Sequence, residues 1–106
     1  MYMKRDYSQD DLLEILQEVE DPELGYSIVD LGLVYRAEVV DDHIEIDITL
    51  TYIGCPLEGQ MRGEIVRVLR FVTGIKDVRV RIVWDPPWSM ERASAEVRLD
   101  YGYSIW

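Results

Sequence analysis

The sequence predicts an α+β domain: a two-layer α/β sandwich, a three-stranded sheet with helices on one face, in the order α-β-β-α-β-α. Three observations lead there. Ile44, Ile46, Ile48 and Leu50 alternate with Glu45, Asp47, Thr49 and Thr51, the period of a strand with one buried and one wet face. Leu12, Leu13, Ile15, Leu16 and Val19, and later Leu57, Met61, Ile65, Val68, Leu69 and Val72, recur at helical spacing. Asp77 to Trp84 alternates again, completing a sheet with one apolar face to cover.

In order, Ser8 caps the first helix, with Asp10 and Asp11 in its first turn, where acids favour the positive helix end. Asp21-Pro22 ends it, because a residue before proline is pushed out of the helical region. From Glu23 to Leu33, Gly25 and Gly32 bracket Ile28, Val29 and Leu31, which reads as a buried loop or a single helical turn. Leu33 to Val40 is a strand, Asp41-Asp42-His43 a tight turn, and the Ile44 run its antiparallel partner. Pro56 suits the first position of the second helix, and Gly74 closes that helix.

The third strand puts Val78, Val80, Ile82 and Trp84 on one side and Arg79, Arg81 and Val83 on the other. Asp85-Pro86-Pro87-Trp88 stops the ladder, since proline lacks a donor. Ser89 caps a short last helix running to about Leu99. The spacing leaves open which sheet edge the third strand joins.

With 106 residues, 48% of them hydrophobic, the chain suits one small domain, 1–106, with no linker or repeat. No apolar stretch reaches the ~18 residues of a membrane span. Met1 to Asp10 lacks an apolar signal segment, so the expected compartment is the cytoplasm. The net charge of -10 argues against nucleic acid, which needs a basic footprint. Residues 1–60 hold 15 acids and 3 bases, whereas residues 61–106 hold 6 and 8. Solvated faces account for this, or the Arg-bearing half meets an acidic partner.

Cys55 is the lone cysteine, so there is no internal disulfide framework and no Cys-x-x-Cys pair. It falls where the second strand gives way to the second helix. At a helix start the unpaired N–H groups and the positive helix end favour the thiolate, which attacks electrophiles and ligates metals. Equally, free cysteine is often a small buried hydrophobe. One thiolate makes no cluster site, since iron–sulfur clusters usually take four cysteines. His43, beside two aspartates, reads as a solvated turn residue. Asp21, Glu23 and Asp30 are candidate bases or oxygen ligands, or turn and cap residues. Thr49 and Thr51 lie on the wet face just before the cysteine, where they hydrogen-bond a ligand or merely suit a strand. Of Trp84 and Trp88, one suits the core and the other a partner contact. No phosphate loop or nucleophile elbow is present.

Asp21-Pro22-Glu23-Leu24-Gly25, Ile28-Val29-Asp30-Leu31-Gly32-Leu33-Val34-Tyr35, Gly54-Cys55-Pro56-Leu57 and Val83-Trp84-Asp85-Pro86-Pro87-Trp88 occur in that order. Together they resemble the metal–sulfur cluster biosynthesis family that includes SufT and the PaaD-like proteins. The resemblance covers about residues 12–99 and leaves 100–106 as an aromatic tail. It implies a domain akin to the carboxyl-terminal domain of NifU-type scaffolds. It also implies an accessory factor in iron–sulfur cluster assembly or delivery, not a metabolic enzyme. The family's functional cysteine matches Cys55, its acidic loop Asp21, Glu23 and Asp30, and its Asp-Pro-Pro-Trp turn Asp85 to Trp88. The implied cargo is a transient iron–sulfur cluster or iron, and the implied partners are assembly or client proteins. Members are often dimeric, so a homodimer is expected, with the tail and an exposed strand edge offering surfaces. Where the family commonly has Thr-Thr-Pro, this chain has Thr51-Tyr52-Ile53, a bulkier and more apolar approach to the cysteine.

Three readings follow. In the first, Cys55 transiently holds metal, cluster or a partner thiol, the acidic loop tunes the site, and the Trp88 turn meets partners. In the second, the chain is a non-catalytic adaptor with a structural cysteine, working through Trp88, Arg79 and Arg81. In the third, ranked last, Asp21, Glu23 and Asp30 perform acid–base chemistry.

Overall fold

The computed structural model describes residues 7–22, 24–51 and 58–100. Helix α1 (Gln9–Leu16) opens with a capping box: Ser8 Oγ accepts the Asp11 N–H at 3.1 Å, and Asp11 Oδ2 accepts the Ser8 N–H at 3.0 Å. It ends at Leu16, well before Pro22. The chain doubles back and takes over the backbone groups that a longer helix would need. Ile28 N–H donates to Val19 O, and Asp21 N–H to Tyr26 O, both at 2.9 Å. The segment after Gly25 is a buried turn, as expected, with Leu31 N–H donating to Ser27 O at 3.0 Å and Ile28, Leu31 and Leu33 fully buried.

Strands β1 (Val34–Val40) and β2 (His43–Ile48) form the predicted antiparallel hairpin. Val40 pairs with His43 around Asp41-Asp42, and Asp41 takes a left-handed φ of 54°, which aspartate tolerates. Helix α2 (Glu58–Thr73) then returns the chain to β3 (Val78–Ile82), parallel to β2, with Ile46 opposite Val80. The sheet order is therefore β1-β2-β3. A helical crossover is what permits a parallel neighbour, and this resolves which edge the third strand joins. Arg62 of α2 ties the layers together, donating to Val80 O at 2.8 Å.

Leu12, Leu16, Met61, Ile65 and Leu69 of the helices pack with Ala37, Ile44, Ile46 and Ile48 of the sheet in one buried cluster. Gly74, at φ 77°, closes α2 with its N–H on Arg70 O at 3.0 Å. Val72 departs from the expected stripe and is half exposed. The buried stripe drifts round the helix, and Thr73 takes the inward place, its Oγ1 donating to Leu69 O at 2.6 Å.

Three further expectations are corrected. Thr49 is fully buried, not on the wet face, because Leu33 and Val83 flank the end of β2: Thr49 N–H donates to Leu33 O, and Val83 N–H to Ile48 O, both at 2.8 Å. Trp84 does not share the inner side of β3, which stops at Ile82; it is 41% exposed. Ser89 heads only a 3-10 turn, Met90–Arg92, without a side-chain cap. Ser94 starts the last helix, α3 (Ala95–Asp100), after its own N–H has gone to Asp30 O at 2.7 Å and broken the run. Among the described residues no helix is long and apolar enough to cross a membrane.

Candidate functional site

Two of the motif segments, 28–35 and 83–88, meet at one end of the sheet, where β1 begins and β2 and β3 finish. Trp88 is partly buried, and its indole N–H donates to Leu31 O at 2.6 Å. Tyr35 donates its phenol to Pro86 O at 2.8 Å, across a cis Asp85-Pro86 peptide. The Arg92 guanidinium lies 4.8 Å from the centre of the Tyr35 ring, a cation–π distance. Gly32, at φ 74°, sits so close to the Arg92 backbone that a Cβ would overlap its carbonyl. Together these contacts fold residues 84–92 against residues 31–35.

Between them opens a cleft of about 670 Å³, lined by Tyr35, Arg36, Asp47, Arg81, Asp85 and Arg92 among others. Its charges are organised. Asp47, nearly buried, receives both arms of Arg81, Nε to Oδ1 at 3.1 Å and Nη2 to Oδ2 at 2.8 Å. That pairing raises the Arg81 pKa above its ordinary value. Arg36 reaches Glu45 Oε1 at 2.6 Å, Asp47 at 3.7 Å, and Glu38. His43 Nε2 lies 2.7 Å from Glu45 Oε2, so His43 is tucked against the sheet and not a solvated turn residue. Hydrogen bonds from His43 and then Arg36 hold the Glu45 carboxyl down to about 2. Arg92 has no carboxylate partner among the described residues.

The predicted site residues are distributed unevenly. Asp85 lines the cleft and is exposed. Thr51 is half-buried at the exit of β2. The buried Thr49 Oγ1 has no hydrogen-bond partner among the described residues. Asp21 is buried and accepts the Leu24 N–H at 3.1 Å, a turn-forming contact. Asp30 accepts from Gln17 Nε2 at 3.4 Å. Asp21 and Asp30 thus serve different local contacts. Glu23 and Cys55 lie outside the described residues, as do Tyr52, Ile53, Gly54, Pro56, Leu57 and the tail from Tyr101 to Trp106. Among the described residues no three His, Cys, Asp or Glu side chains gather to hold a metal ion. Sequence reasoning missed Arg36, Asp47 and Arg92. The first two stand in a hairpin whose register the alternating pattern already fixed, which is the signal that could have found them.

Comparison with known proteins agrees with this architecture. The profile of a family described as iron–sulfur cluster assembly protein matches residues 9–82. The Fe-S protein maturation auxiliary factor SufT of Staphylococcus aureus is 42% identical over 81% of this chain and 99% of its own length. The Fe-S protein maturation auxiliary factor YitW of Bacillus subtilis is 38% identical over 89% of this chain and 93% of its own. A solved domain of unknown function, DUF59, from Bacillus anthracis superposes with a TM-score of 0.83 at 39% identity, covering 91% of this chain and 92% of that one.

Proposed function

The chain belongs to the iron–sulfur cluster assembly protein family, and from that premise we propose that it is an accessory factor in the maturation of iron–sulfur proteins. Iron or a cluster is its cargo. Cys55 supplies a thiolate from the stretch of sequence between β2 and α2. One thiolate cannot satisfy a cluster, so the other ligands come from a partner protein, a small thiol or a second copy of the chain. The observation that carries this reading is the convergence of the 28–35 and 83–88 motifs on the sheet end that leads into the Cys55 motif. Trp88 on Leu31 and Tyr35 on Pro86 brace that end. Asp85 and Arg92 stand at its rim for contact with assembly or client proteins.

Complementation tests the reading. In cells lacking such factors, the wild-type chain restores the activity of an iron–sulfur enzyme, and Cys55→Ser does not. Equal rescue by both would overturn the thiolate role. The exposed Trp84 supports a second reading, an adaptor with a structural cysteine. Rapid alkylation of Cys55 in the native chain, as a reactive thiolate requires, would exclude it.

A further inference from the structure

A second surface lies away from the sheet end. Helix α1 and the C-terminal part of α2 leave a groove of about 380 Å³, lined by Tyr7, Asp11, Glu14, Ile15, Glu18 and Val72. Asp11, Glu14, Ile15 and Glu18 stand at i, i+3, i+4 and i+7, one face along α1 and the turn after it. That face is acidic around an apolar centre. From Gln9 to Glu20 the chain carries five acids and no base. On the open sheet face Glu45, Asp47 and Asp77 each hold an arginine. Glu14 and Glu18 have no ion-pair partner among the described residues. Arg67, whose charge reaches Glu18, keeps both arms on Glu64 at 2.9 Å. Of the apolar lining, Val72 is 50% exposed, and Ile15 is partly buried against the core.

We propose that this groove docks a basic amphipathic helix of a partner protein. Apolar side chains of that helix seat on Ile15 and Val72, and its lysines or arginines face Glu14 and Glu18. Two parallel requirements select such a segment: the helix–helix groove favours apolar anchors at helical spacing, and the rim favours positive charge. The groove shares no lining residue with the cleft at the sheet end, and its role does not depend on the cargo.

The test is an NMR titration of the full chain with a synthetic amphipathic Leu/Lys helical peptide, beside its Leu/Glu counterpart, at physiological salt. The expected result is saturable shifts confined to α1 and the end of α2, including the Ile15 and Val72 methyls, with no binding of the Leu/Glu peptide. The double variant Glu14→Lys, Glu18→Lys weakens binding by about tenfold or more, and Val72→Ser weakens it too, both with unchanged melting. Shifts centred on another surface, binding of both peptides alike, or no binding at millimolar peptide would each overturn the proposal. Movement of the same resonances with chain concentration alone, without peptide, would give the groove to a second copy and overturn it also.

Discussion

Gly32 and Arg92 meet backbone to backbone: a Cβ on Gly32 would stand 2.7 Å from the Arg92 carbonyl carbon, closer still to its oxygen, and 2.8 Å from its Cβ. This contact presses the 84–92 segment onto the start of β1 and sets one wall of the cleft. Gly32 also holds φ 74°, in the left-handed region that favours glycine. Gly32→Ala therefore adds both backbone strain and overlap, together about 2–4 kcal/mol of lost stability. Chemical denaturation reads this directly, and a loss below about 0.5 kcal/mol would show that the two segments are not held together as described.

Trp88 fixes the same segment at its middle. Trp88→Phe removes the indole N–H and leaves Leu31 O without that donor, at a cost of about 1–2 kcal/mol before any packing loss. Equilibrium unfolding should show that loss. Trp84, which is 41% exposed and makes no such bond among the described residues, should tolerate Trp84→Phe within about 0.5 kcal/mol. If the two substitutions cost the same, Trp88 is not the anchor.

The charged face of the sheet carries a pH dependence. The Glu45 carboxyl is held down to about 2 by His43 and Arg36, below its ordinary unfolded value of about 4.3. A depressed carboxylate contributes stability that is present above the unfolded value and is lost as pH falls through the folded one. Glu45→Gln should therefore be less stable than wild type near neutrality, with the gap closing between about pH 5 and 2. Parallel denaturation curves across that range test this; a gap that persists unchanged at pH 2 would assign the effect to something other than ionisation. Because the group is partly exposed, added salt should narrow the gap as well.

Much of the fold is legible in the residues themselves. Ile44, Ile46 and Ile48 can face only one side of a strand, and Gly74 closes α2 with the left-handed φ its position suggests. Ser8 and Asp11 form their cap from purely local chemistry, which needs no tertiary knowledge. The misplaced features all depend on distant partners. The end of α1 is set by Ile28 reaching back to Val19, and the start of α3 by Ser94 bonding Asp30. Thr49 looks wet by alternation but is enclosed by Leu33 and Val83. Trp84 and Trp88 are the same residue type four apart, and only the carbonyl of Leu31 distinguishes the anchor from the exposed ring. As for the site, the motifs named its segments through a family resemblance. That the 28–35 and 83–88 segments meet at one sheet end is a long-range fact that no local pattern encodes.

The account rests most heavily on Cys55 as a ligand for iron–sulfur cargo, and anaerobic reconstitution of wild type and Cys55→Ser side by side tests it most directly. Visible absorbance and iron content are the readouts. Wild type is expected to bind iron and sulfide and Cys55→Ser is not, with the iron-to-chain ratio showing whether two chains share one cluster. Equal iron in both, or none in either even with a small thiol supplied, would contradict it.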